Sequence, residues 1–163
     1  MVEGPGLPPP ISREEFLEQF GASDGAALGL ELLSEAVKQR DGEDVEFALI
    51  VGFRFGFTTE HLPWLISLSF ADWHRAHEDV VFALEQLRTP VAVEALAHAA
   101  RWVPEYLEYD EARALASKAI FALTSIEGRA AEYALESLAN DDSEIVAEIA
   151  KRRLDVRRDE NAG

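Results

Sequence analysis

The 163-residue chain carries 31 Asp and Glu against 15 Lys and Arg, a formal charge of −16, and has no cysteine. That length fits one domain. A surface this acidic repels nucleic acid and anionic lipid, which both need a basic footprint, and the missing thiols exclude disulfides and thiolate metal sites.

Nearly half of the residues are apolar, enough for one continuous core. The longest apolar stretches, such as Phe47 to Val51, are far too short to span a bilayer. Met1 to Pro10 is rich in Gly and Pro, without a basic start or an apolar run. It reads as a disordered lead-in (1–10) and not as a secretory signal. Together with the lack of cysteine, this sets a cytoplasmic location as the expectation. The charge is uneven: residues 1–150 hold 10 Lys and Arg against 28 Asp and Glu, and residues 151–163 hold 5 against 3.

Apolar residues recur every three or four positions along the chain, the helical period. No stretch alternates with period two for long enough to be a strand. The first helix is expected over 13–20, where Ser12-Arg13-Glu14-Glu15 forms a capping-box pattern ahead of Phe16 and Leu17. Helices over 24–40 and 42–55 follow, punctuated by Gly21, Gly42 and Gly56. Thr58 or Thr59 caps a helix over 59–69 that holds Leu62, Leu65 and Leu68, with Pro63 tolerated near its start. Helices over 74–88 and 90–102 come next, the latter with Pro90 in its first turn. Helices over 110–126 and 129–139 follow, divided by Gly128. Asn140-Asp141-Asp142-Ser143 then turns into a capped helix over 143–157. The domain is expected to run from 11 to 158, with a disordered tail over 159–163.

The chain also repeats itself. Phe-Ala-Leu occurs at 47–49, 82–84 and 121–123, spacings of 35 and 39 residues. At the longer offset Ala76, Val80, Leu84 and Leu87 fall on Leu115, Ala119, Leu123 and Ile126. Ala92, Ala95, Leu96 and Ala100 fall on Ala131, Ala134, Leu135 and Ala139. Each unit is a helix pair that cannot bury its apolar stripe alone, so neighbours must stack.

These features resemble the HEAT-like α-solenoid repeats, over roughly residues 42–155. The unit from Ala130 to Ala147 is the most typical, with an Ala/Leu-rich helix, an Asp-rich turn and a Val-Ala helix. The resemblance implies an all-α, right-handed superhelix of about four helix pairs. A narrower resemblance is to small bacterial HEAT-repeat immunity proteins encoded near polymorphic toxins. It is carried by Gly52–Thr58, Ala71–Asp79 and Tyr106–Ala112. It implies a non-enzymatic protein that binds and neutralises a partner toxin. A general adaptor or assembly scaffold on the same fold is the alternative.

Pairing the helices as 24–40 with 42–55, 59–69 with 74–88, 90–102 with 110–126, and 129–139 with 143–157 puts all four intra-pair loops on one edge. That edge carries Asp72, Trp73, His74, His77 and Glu78, then Tyr106, Tyr109, Asp110 and Glu111, with Trp102, Asp141 and Asp142 nearby. Aromatic anchors among carboxylates suit a protein partner with a basic surface. The plainer role for Asp72, Asp110 and Asp142 is helix capping. In solenoids of this kind second helices line the concave face, and Glu46, Glu78, Glu85, Lys118 and Glu148 are candidates for it.

His74 and His77, three apart, would share a helical face and with Glu78 or Asp79 could hold a metal ion, but no fourth ligand is evident. This is the basis of a metal-binding or enzymatic alternative. His98, among alanines, reads as a partly buried core histidine. Gly52-Phe53-Arg54-Phe55-Gly56 lacks the spacing and Lys of a phosphate loop and reads as a close-packing element. The basic residues Lys151, Arg152, Arg153, Arg157 and Arg158 read as cations near a helix C-terminus. No cofactor, nucleic-acid or membrane partner is expected.

Overall fold

The computed structural model describes residues 10–163. Of the lead-in expected to lack structure, residues 1–9 lie outside the described residues. The described residues form nine α-helices and no strand. In chain order these are α1 (Arg13–Gln19), α2 (Gly25–Gln39), α3 (Gly42–Phe55), α4 (Leu62–Phe70), α5 (His77–Leu87), α6 (Val93–Arg101), α7 (Ala114–Thr124), α8 (Arg129–Leu138) and α9 (Glu144–Ala162). Single 3₁₀ turns precede α4 (Thr59–His61) and α6 (Pro90–Ala92), and a third lies within the α6–α7 connection (Glu105–Leu107).

Local chemistry explains the starts. Ser12 and Glu15 form the expected reciprocal capping box on α1. Asp24 accepts hydrogen bonds from the amides of Ala26 and Ala27, and Asp41 from that of Asp44. On the 3₁₀ turn ahead of α4 a histidine replaces the usual Glu: the Thr58 amide donates to His61 Nδ1 at 2.9 Å.

The helices expected from 59 and 90 open as 3₁₀ turns, and three further boundaries differ from the sequence expectation. The helix expected from 74 begins only at His77, because His74 Nδ1 accepts the Ala76 amide and holds a turn. The helix expected from 110 begins at Ala114, because Arg113 takes a left-handed conformation with φ of 56°. The tail expected to be disordered (159–163) instead continues α9 to Ala162. Asp159, Glu160, Asn161 and Ala162 hold no helix breaker, and the first glycine is Gly163.

Paired helices pack as expected: α2 on α3, α4 on α5, α6 on α7 and α8 on α9. In addition α2, α4, α6 and α8 touch in succession, as do α3, α5, α7 and α9. One apolar core runs from Leu33 on α2 to Leu154 on α9. The three Phe-Ala-Leu segments sit on α3, α5 and α7 with matching patterns of burial. Their Ala and Leu members are buried, while Phe47, Phe82 and Phe121 are 38%, 50% and 42% exposed. Of the eight position pairs aligned at the longer offset, all are buried in both copies except Leu87, which is partly buried. Gly29 and Gly52 mark the close approach of α2 to α3, a Cβ at Gly29 lying 3.5 Å from the Gly52 amide nitrogen. Gly56, the second small residue of that motif, instead ends α3 with φ of 105°.

Candidate functional site

The four intra-pair connections touch one another in sequence. The Arg40 guanidinium lies 5.8 Å from the Trp73 ring centre, joining the first to the second. His77 and Tyr106 join the second to the third. Arg101, at the end of α6, pairs with Asp141 at 3.0 Å and joins the third to the fourth.

Between the second and third connections lies a cleft of about 830 Å³. Trp73, Trp102 and Tyr106 supply its aromatic surface, Asp72, Glu105 and Glu108 its carboxylates, and Arg75 a cation. The longest connection, closed by the 3₁₀ turn Glu105–Leu107, positions Tyr106 over the start of α5.

His74 lines the cleft and forms a bonded pair with His77 behind it. His74 and His77 are each 2% exposed, and their rings stack at 4.0 Å. His74 Nε2–H donates to the Leu68 carbonyl at 2.7 Å, and its Nδ1 accepts the Ala76 amide. His77 Nε2–H donates to the Ala71 carbonyl at 2.6 Å. The Tyr106 hydroxyl accepts the His77 amide at 3.2 Å and donates to His77 Nδ1 at 2.9 Å. Each bond agrees with a neutral Nε2–H ring. Burial lowers the pKa of both, that of His77 to about 4, and raises that of Tyr106 to about 12. Trp102 stands edge-on to His77 at 5.0 Å and stacks on His98 at 5.4 Å, and Phe70 packs on His98 at 4.4 Å.

The structure thus gathers part of the sequence-derived set. Asp72, Trp73, His74 and Tyr106 line the cleft, and His77 lies behind Tyr106. His74 and His77 do not share a helical face, since His74 precedes α5; their stacking comes from the turn between them. All four ring nitrogens are engaged by protein groups, so a metal would have to displace one of these bonds. Among the described residues no cluster of three or more potential metal ligands occurs. Glu78 faces away from the cleft and pairs with Lys118 at 2.8 Å. Tyr109, 81% exposed, and Glu111 lie outside it. Asp110 does hold the start of α7, accepting the amides of Ala112 and Ala114. Asp72 and Asp142 do not cap: Ala76 stands at the α5 cap position, and Ser143 caps α9 with Asp141 bracing the turn.

Sequence reasoning missed Arg75, Glu105 and Glu108, whose only signal was their place in long connections. It also misplaced Arg157. From within α9 its side chain caps another helix, donating to the carbonyls of Leu123, Thr124, Ile126 and Gly128 around the end of α7. Its position in the buried row Val146, Ala150, Leu154 was the available clue.

Comparison of the chain with family models, curated proteins and solved structures finds no match. Among the described residues no helix is long and apolar enough to cross a membrane.

Proposed function

We propose that the chain is a HEAT-like α-solenoid that acts as a non-enzymatic binding module and neutralises a partner protein, as an immunity protein does. The successive contacts of first helices and of second helices support the solenoid, as does the matched burial of the three Phe-Ala-Leu segments.

The observation that carries the binding reading is the cleft of about 830 Å³, where three aromatic rings alternate with Asp72, Glu105 and Glu108. Rings offer large contact area with little entropy to lose, and the carboxylates match Lys or Arg on a partner. The bonds of the buried histidine pair to Tyr106 and to the Leu68 and Ala71 carbonyls hold the cleft in one shape, which lowers the ordering cost of docking. The acidic body adds long-range attraction for a basic partner.

The test is co-purification of the chain with the product of the adjacent gene, with a growth assay for protection from that product. Charge reversal at exposed cleft positions (Asp72→Lys with Glu108→Lys) is expected to lower the association rate roughly tenfold at low salt and to leave the fold intact. Absence of a complex together with absence of protection would refute the immunity reading. A complex unaffected by the reversal would move the interface elsewhere.

A further inference from the structure

The first and later copies of the repeat differ in what lies over their exposed phenylalanine. Phe47 is partly covered by the chain itself: the ring centres of Phe16 on α1 and Phe20 just after that helix lie 6.5 and 6.0 Å from that of Phe47. Phe16 also packs on Phe55 at 5.7 Å. Arg54 fastens the segment by donating to the Ile11 carbonyl and lying 5.4 Å from the Phe16 ring centre. A short amphipathic helix with two rings one turn apart is thus what this repeat surface accepts.

Phe82 and Phe121, the equivalent residues of the next two copies, have no such cover among the described residues. They line a groove of about 470 Å³ across α5, α7 and α9. Phe53 packs beside Phe82 at 5.4 Å, and Arg153 closes the other end 4.8 Å from the Phe121 ring centre. The walls carry Glu78, Asp79 and Glu85 on one side and Lys118 on the other. Lys118 is committed to Glu78, and among the described residues Asp79 and Glu85 have no ion-pair partner.

We propose that the Phe82–Phe121 groove is a second docking surface, which takes a short amphipathic helix of a partner protein bearing two aromatic side chains one turn apart and Lys or Arg beside them. The rings would stand on Phe82 and Phe121 as Phe16 and Phe20 stand on Phe47. The basic residues would face Asp79 and Glu85. Helix α1 of a second copy fits the rings but not the charge, since it carries Glu14, Glu15 and Glu18 against Arg13. The groove shares no lining residue with the edge cleft, so either surface can fail without the other.

The probe is a synthetic peptide of residues 11–21 carrying Glu14→Lys and Glu18→Lys, which keeps the Ser12–Glu15 capping box. It is titrated into the full-length ¹⁵N-labelled chain. Saturable binding is expected, with amide shifts centred on Phe82 and Phe121 and an affinity that falls as salt rises. Phe82→Ser and Phe121→Ser should each weaken it roughly tenfold, and Phe47→Ser should not. Should either serine variant lose helical circular dichroism, Asp79→Lys with Glu85→Lys serves in its place with the same expected loss. Absence of shifts at about 1 mM peptide, shifts centred elsewhere, or equal binding of the unmodified acidic peptide would overturn the proposal.

Discussion

Replacing Arg157 by Met keeps the aliphatic stem of the side chain and removes four carbonyl contacts at the end of α7. Two of these are well placed, Nη1 to Ile126 at 2.6 Å and Nη2 to Gly128 at 3.1 Å. The other two share Nη1 at 3.2 and 3.3 Å and add little. A hydrogen bond from a charged donor contributes about 1.5–3 kcal/mol net, so the two good ones supply about 3–6 kcal/mol. Arg157 Nε is buried without a partner, a penalty of about 1–3 kcal/mol that the substitution relieves. The net expected loss is about 3 kcal/mol, a fall of roughly 6–12 °C in Tm for a chain of this size. Urea unfolding followed by far-ultraviolet circular dichroism measures it, with an unchanged slope showing that the native state stays compact. Arg157→Lys, a point donor without the planar fork, should recover about half of the loss. A change below about 1 kcal/mol for the Met variant, or full recovery by Lys, would refute the capping role.

The buried histidine pair makes stability depend on acid. His77 is neutral in the folded chain down to about pH 4, whereas the unfolded residue takes up a proton near 6.5. Its contribution is therefore fully present above pH 6.5 and is lost as pH falls from there to about 4. The expected slope is about 1.4 kcal/mol per pH unit, roughly 3 kcal/mol in all. A urea midpoint that stays flat between pH 7 and 4.5 would contradict it. Tyr106→Phe strands the His77 amide and Nδ1, so a cost of about 1–3 kcal/mol is expected in the same assay. With Nδ1 freed to take a proton, the His77 pKa should rise in an NMR titration; an unchanged value would mean that the hydroxyl does not donate to it. Arg88 ends α5 with φ of 45°, a strained conformation for any residue with a Cβ. Arg88→Gly is expected to raise stability by up to about 1 kcal/mol, and a loss in thermal unfolding would show that the arginine side chain matters more than its backbone.

The sequence by itself determined the helical class, the nine helices of the described residues and which positions recur in burial. All three rest on local patterns: apolar residues at the helical period, caps such as Ser12 and Asp41, and a Phe-Ala-Leu segment that recurs with its flanks. A repeat constrains which residues turn inward, and Leu49, Leu84 and Leu123 are buried alike; that their phenylalanines stay partly exposed is visible only in the structure. The ends were harder wherever a side chain competed with the helix for backbone groups, as His74 does at the Ala76 amide. Only the tertiary structure decided how the polar residues are used. His77 meets Tyr106 across 29 positions, and Arg157 meets Ile126 across 31. Period and composition give the phase of each helix but not the path of the connection between Arg101 and Ala114, and that path sets which carboxylates surround the cleft. The fate of Glu78 has the same origin: its spacing put it near the edge loops, and its place on the α5 surface turned it toward Lys118 on α7.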